Sequence, residues 1–312
     1  MTTVDVGRDF VGYGANPPPV TWPGGKKVAL SVVLNYEEGA EPALVDGDAW
    51  NEPRAELPPA GDTPGRDFSV ETYYEYGSRS GFWRLARIVD ELDVPVTVFA
   101  CGRALERNAA VAHYLGSSRH EVCSHGYRWM RPSQMTEAEE REEIANAVRA
   151  IEQTTGRRPV GWYSRYAPSE RTRALLAEHG GFLYDSDSYA DDLPYQVDVA
   201  GRPRLVVPYS LDNNDIKFWA GQGFGGPADF ADHLRRGLRQ LCGEPNPSVM
   251  SVGLHARIAG RPARASAVRE FLEFALELDQ VWFCTRADLA QHWLDQTKTA
   301  AGRQQREEMS CP

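Results

Sequence analysis

Four residues of this chain are typed and placed to move protons: Glu37, Glu38, His125 and His255. Each follows or ends a short apolar run: "VALSVVL" precedes the two glutamates, His125 lies in "EVCSHG", and His255 closes "SVMSVGLH". A carboxylate buried beside a like charge has a raised pKa and can take a proton from water near neutrality. Adjacent residues of an extended chain point to opposite sides, so one glutamate is expected to face a pocket while the other accepts hydrogen bonds. The bland alternatives are a solvated turn at "EEG" and a loop histidine at His125. The apolar run before the glutamates, and the equivalent placement of two of the 7 histidines, favour a site. Cys123 lies two residues before His125 and would share its face of a strand, so a Cys-His nucleophile pair is conceivable. Its place inside the apolar run favours packing instead.

These residues meet only if the fold brings strand ends together. Val28 to Leu34 reads as a strand buried on both faces of a parallel sheet. From Gly81 onward, helical and strand patterns alternate: "FWRLARIVDEL", "VPVTVFAC", "ALERNAAVAHYLG", "HEVCSHG". Thr136 and Glu139 form a capping-box pattern that opens a long helix ending near Gly156. Seven or eight such units predict a (β/α) barrel of about seven parallel strands, whose chemistry gathers at the carboxyl ends of the strands. The polar residues at those ends are Glu37, Glu38, His125, Tyr163 to Arg165, Asp212 to Asp215, and His255. Arg257, Arg261 and Arg264 follow His255, and arginine donors suit the carbonyl oxygens of a planar polar substrate. At the start of a helix, Arg264 reads as a surface ion-pair residue.

The predicted organisation is an irregular, proline- and glycine-rich arm over 1–26, one barrel domain over 27–297, and a polar tail over 298–312. A polar segment over 39–80 is too long for an ordinary connection and reads as a lid or subunit-contact loop. The net charge of -10 argues against nucleic acid as a partner. The first residues show no basic segment followed by an apolar run, so the expectation is a cytoplasmic protein without a membrane anchor. Five well-separated cysteines without a Cys-x-x-Cys suit reduced thiols.

Together, "RDFVGYG", "NYEEG", "YEYGSRSGFWRL", "SHGYRWM", "GGFLYDSDSYADDLPY", "LDNNDIKF" and "SVGLHARIAGRPAR" give a chain that resembles the polysaccharide deacetylase superfamily, in particular its cofactor-independent allantoinase branch. The resemblance implies a distorted barrel and, for that branch, a homo-oligomer, with a tetramer as one form. The deacetylases carry an Asp-Asp pair after the first strand, one the base and one a metal ligand, and Glu37 and Glu38 stand in those places. Their His-x-x-x-His motif supplies two further ligands; here only His125 remains, because Trp129 takes the second place. His255 is similar to their general acid, and the segment Asp212 to Asp215 to the Asp-x-x-Asp stretch that helps orient it. After the tyrosine, this chain reads "SRYAP" where such allantoinases have a Gly-Arg-Thr-Gly-Pro type of loop, which leaves the substrate open.

A catalytic zinc normally has three protein ligands. Glu38 and His125 supply two, and an indole nitrogen cannot coordinate, so no metal cofactor is expected; zinc or another divalent ion on Glu38 and His125 is the alternative. The expected catalytic residues are Glu37, Glu38 and His255. The expected substrate-binding residues are His125, Trp129, Tyr163, Arg165, Asp215 and Arg261, with Trp129 offering a ring face for stacking. The expected reaction is hydrolysis of a cyclic amide or ureide. A metal-dependent deacetylase of acetylated sugars and an inactive binding protein of the same fold are the alternatives.

Overall fold

The computed structural model describes residues 7–53, 65–219 and 223–297. The expected tail over 298–312, with Cys311, lies outside them, as does 54–64 of the long insertion. The strands are β1 (Val28–Tyr36), β2 (Val96–Ala100), β3 (Glu121–Ser124), β4 (Gly161–Trp162), β5 (Tyr184–Asp185), β6 (Tyr195–Val199), β7 (Arg202–Val206), β8 (Ser248–His255) and β9 (Val281–Phe283). They form one curled sheet in the order β6-β7-β5-β4-β3-β2-β1-β8. β9 pairs with the first residues of β1, below the point where β2 joins the same edge.

Every pairing is parallel except β6 with β7. That antiparallel hairpin departs from the expected all-parallel barrel. Its turn places Ala200 and Gly201 at φ 53° and 77°, the left-handed pair that joins two strands through two residues.

Helices cover the outside: α1 (Phe68–Tyr76), α2 (Phe82–Glu91), α3 (Gly102–Arg107), α4 (Ala109–Ser117), α5 (Glu137–Thr155), α6 (Thr172–His179), α7 (Pro227–Gly243), α8 (Pro262–Leu276) and α9 over 286–297. The capping box opens α5, with both reciprocal bonds between Thr136 and Glu139 present, and Gly156 ends it at φ 72°. The end of the 39–80 segment is helical, because α1 begins at Phe68 on the Asp67 cap.

Alternation along β1 sorts its side chains into two layers. Val28, Leu30, Val32, Leu34 and Tyr36 pack outward against the helices. Ala29 and Val33 pack inward with Phe99, Cys123, Tyr163 and Tyr209. Most described residues of the N-terminal segment are exposed, but Trp22 is fully enclosed and donates from Nε1 to the Ser248 carbonyl at 3.0 Å, which anchors the segment beside the start of β8.

β7 and β8 do not pair, and buried Arg286 spans the seam between them. It donates to Ser186 Oγ on the β5 side, to the Val207 and Pro208 carbonyls after β7, and to Ser251 Oγ on β8 at 2.9 Å.

Candidate active site

The strand register lines up the ends of four strands. Tyr36 pairs with Ala100, Ala100 with Ser124, and Ser124 with Trp162. One step beyond these partners stand Glu37, Cys101, His125 and Tyr163, in a row along the mouth of the barrel. On the other side of β1, Asn35 pairs with His255. Glu37 therefore lies between the two histidines.

The distances agree. Glu37 Oε1 is 3.2 Å from His125 Nε2 and 3.6 Å from His255 Nε2. His125 donates from Nδ1 to the Tyr163 carbonyl at 2.7 Å, and the Tyr163 ring stacks on the imidazole at 5.1 Å and 11°. His255 donates from Nδ1 to Asp215 Oδ1 at 2.6 Å, while Asp215 Oδ2 accepts from the backbone N–H groups of His255 and Ala259. Both imidazoles thus turn Nε2 towards the same carboxylate oxygen.

Glu38 points the other way. Its Oε2 accepts the Glu37 N–H at 3.0 Å and its Oε1 accepts the Arg257 N–H at 3.2 Å. It packs against the five-residue π-helical turn Gly77–Gly81 that joins α1 to α2, where a Cβ on Gly77 would lie 2.4 Å from Glu38 Oε1. π-turns inside helices often mark functional sites, and this one lets its backbone close onto the loop after β8.

Arg257, fully buried, sets the electrostatics. Its Nη1 is 2.6 Å from Glu37 Oε2 and 3.5 Å from Glu38 Oε1. Burial, the largest single influence on Glu37, pushes its pKa up, but Arg257, His255 and His125 together hold the carboxyl well below the usual range. The raised pKa expected for a paired carboxylate falls instead on Glu38, through burial reinforced by the charge of Glu37. For His255, burial pulls the pKa down, and the carboxylates of Asp215 and Glu37 overcome it and raise the value. Imidazolium is the natural state of a ring held between two carboxylates.

The other expected site residues take different places. Arg165 does not reach the histidines: it bonds to the Trp129 carbonyl at 2.6 Å and to Glu52 at 2.5 Å, and its guanidinium lies 3.7 Å over the Trp129 ring. That ring also lies 5.1 Å from Arg257, so Trp129 carries guanidinium groups where an open stacking face was expected. Arg261 rests on the Tyr76 ring at 3.6 Å, because the turn after β8 brings Arg257, four residues earlier, to the carboxylates. Tyr163 touches the site through His125, and Asp215 through His255. Cys123 packs in the barrel interior, where burial pushes its thiol pKa well up; that overturns the Cys-His nucleophile pair.

Part of the 39–53 segment is strapped over this mouth. Trp129 N–H and Arg128 Nε both donate to the Ala40 carbonyl, and Arg128 pairs with Asp48 at 2.6 Å.

Sequence reasoning passed over Arg257 in favour of Arg261 and gave no role to Tyr74, Trp219 or Glu52. No local pattern marked Arg257, because residues 256–260 turn back after β8, with the N–H groups of Ile258 and Ala259 donating to the His255 carbonyl.

The donor set does not fit the expected fallback metal pair. Glu38 is committed to two backbone N–H groups, His125 meets Glu37 instead, and the charge balancing the two glutamates is a fully buried guanidinium. Among the described residues, no group of three or more histidine, cysteine or acidic side chains is arranged to hold a metal ion. No helix among them is long and apolar enough to cross a membrane.

Comparison with known proteins places this geometry. The polysaccharide deacetylase family model matches residues 62–182. A Schizosaccharomyces pombe protein named for the polysaccharide deacetylases is 35% identical over 309 residues, covering 92% of this chain and 96% of that one. The crystal structure of PuuE allantoinase is 45% identical, covers 93% of this chain and 98% of its own, and superimposes with a TM-score of 0.87. A Pseudomonas aeruginosa PAO1 structure, also named for the polysaccharide deacetylases, is 45% identical over 92% of this chain and 97% of its own, with a TM-score of 0.86.

Proposed function

Because the chain belongs to the polysaccharide deacetylase family, a family of hydrolases acting on carbon-nitrogen bonds other than peptide bonds, we propose that it opens a cyclic amide or ureide of the allantoin type by adding water, without a metal. The observation that carries this reading is the convergence of two histidine Nε2 atoms on one oxygen of Glu37, with buried Arg257 in place of a dication beside the two glutamates. The 45% identity to PuuE allantoinase supports the cyclic ureide, and the charged and hydrogen-bonding side chains that converge here suit a polar substrate.

In this mechanism, Glu37, which Arg257 and the two histidines hold ionised, takes a proton from water by virtue of its position between the histidines as the water oxygen attacks the ring carbonyl carbon. The carbon-nitrogen bond breaks, and His255 Nε2 gives a proton to the leaving nitrogen while Asp215 holds Nδ1–H. The proton on Glu37 then passes to His255 across the 3.6 Å that separates them, which restores the starting state with one water consumed. His125, anchored by the Tyr163 carbonyl, keeps Oε1 oriented. Glu38 holds the backbone of Glu37 and Arg257.

Positioned acid-base groups contribute about 10²–10⁴-fold each. Glu37→Gln and His255→Ala are therefore each expected to lower kcat by at least about 10²-fold with the fold intact. The test is ring opening of allantoin and of hydantoin by the purified chain, with and without chelator. Opening that survives the chelator and is lost in both variants supports the reading. Chelator-sensitive release of acetate from acetylated sugars, with no ring opening, would replace it by a metal-dependent deacetylase.

A further inference from the structure

Arg257 carries five N–H donors, yet its Nε, Nη1 and Nη2 make no aligned hydrogen bond among the described residues. The short contact of Nη1 with Glu37 is one of charge, out of line for a hydrogen bond, and Glu37 Oε2 likewise has no aligned donor. Three rings hold the guanidinium instead: Tyr74 at 4.6 Å, Trp129 at 5.1 Å and Trp219 at 5.6 Å. Cation-π contacts of this kind position a cation without consuming its N–H groups. The Nε1 of Trp129, the Nε1 of Trp219 and the Tyr74 hydroxyl also have no hydrogen-bond partner among the described residues. A buried donor left unmet costs about 1–3 kcal/mol, so a cluster of them in one place points to a ligand that meets them.

We propose that Arg257 and Glu37 Oε2 together recognise the edge of a cis amide, the guanidinium donating to the carbonyl oxygen and the carboxylate oxygen accepting the neighbouring N–H. A donor and an acceptor side by side, 2.6 Å apart, match a group whose N–H and C=O lie on the same side. Small rings such as hydantoins force that arrangement. An open-chain secondary amide, including the acetamido group of a sugar, is trans and puts its N–H and C=O on opposite sides. The selection is therefore by amide geometry, and it explains why a family named for deacetylation holds a member suited to ring opening. Arg257 becomes a residue that touches the substrate, and the aromatic cage of Tyr74, Trp129 and Trp219 positions it. The inference rests on the ureide reading above and specifies how that substrate is held.

The test is direct binding to the purified full chain, followed by calorimetry and by tryptophan fluorescence, with hydantoin, 1,3-dimethylhydantoin and N-methylacetamide as probes. Hydantoin should bind, while the dimethyl compound, which lacks the N–H, and the trans amide should bind at least about tenfold more weakly. Arg257→Gln should weaken hydantoin binding by about 10–150-fold, the range for a hydrogen bond to a charged group. Arg257→Lys, which keeps the charge but not the fork, should restore only part of it. Dimethylhydantoin binding as tightly as hydantoin overturns the inference, as does unchanged hydantoin affinity in Arg257→Gln. Either result leaves the hydrolase reading standing wherever ring opening is observed. If the wild-type chain neither binds nor opens hydantoins, both fall. Should Arg257→Gln fail to fold, the three probes on the wild-type chain decide the matter alone.

Discussion

His255 illustrates how much one residue depends on its neighbours. Asp215 anchors both its Nδ1 and its backbone N–H, and Asp215 and Glu37 raise its pKa above the ordinary value of 6.5 despite burial. The acid form therefore persists as pH rises past 6.5, and the alkaline limb of kcat should lie above that value. Asp215→Asn removes the largest of the raising influences, so the limb should move to lower pH, and a kcat profile measured on both proteins checks the direction. An unmoved limb would show that His255 is not the acid. The same group contributes to folding stability below its unfolded pKa, and that contribution is lost as pH climbs through the folded value.

At the scale of elements, the loop after β4 carries local strain. Ala167 takes φ 70°, in the left-handed region that costs an L-residue about 1–2 kcal/mol. Its backbone still delivers Arg165 to Glu52 and to the Trp129 carbonyl. Ala167→Gly should relieve that strain, less the greater freedom of glycine in the unfolded chain, for a gain of about 0.5–1 kcal/mol in thermal or urea unfolding. Destabilisation would mean that the Ala167 methyl packs more tightly than its backbone suffers. The π-turn is the converse case. A Cβ on Gly81 would approach the Ala256 carbonyl oxygen to 1.9 Å, and one on Gly77 would meet the Glu38 side chain, so the glycines of "GSRSG" are required by close contacts and by no positive φ.

For the molecule as a whole, β7 and β8 do not pair, and Arg286 bridges them beside the Gly253 N–H, which donates to the Asn213 carbonyl at 2.9 Å. Its guanidinium ties residues following β5 and β7 to the middle of β8, and Phe99 and Tyr209 lie over it at 5.9 and 5.6 Å. Arg286→Ala would strand the Ser186 hydroxyl and the Val207 carbonyl inside the core, leaving Ser251 Oγ and the Pro208 carbonyl only each other at 3.4 Å. Breaking a satisfied buried polar cluster costs about 3–5 kcal/mol, so we expect a loss of that size in chemical denaturation, with the site disordered along with the seam. A loss under about 1 kcal/mol would show that water replaces the guanidinium readily.

Much of this was legible in the linear chain. The apolar run of β1, the capping box of α5 and the glycine stop of Gly156 are local signals, and local physics decides them. Glu37, His125 and His255 were also visible, because each directly follows or ends an apolar strand and parallel strands of a barrel share one mouth. The hairpin of β6 and β7 was missed although β6, "YQVDV", alternates apolar and polar residues, because its half-exposed strands differ from the buried runs that marked the other strands. The burial of Trp22, the choice of Arg257 over Arg261, the low pKa of Glu37 and the bridging role of Arg286 depend on groups distant in sequence. The chain by itself determined which residues stand at strand ends, because periodicity and turn chemistry are properties of neighbours. Only the tertiary structure decided which of them meet and with what charge, because register, the path of the loop after β8 and the desolvation around Arg257 arise from packing between segments that no local pattern encodes.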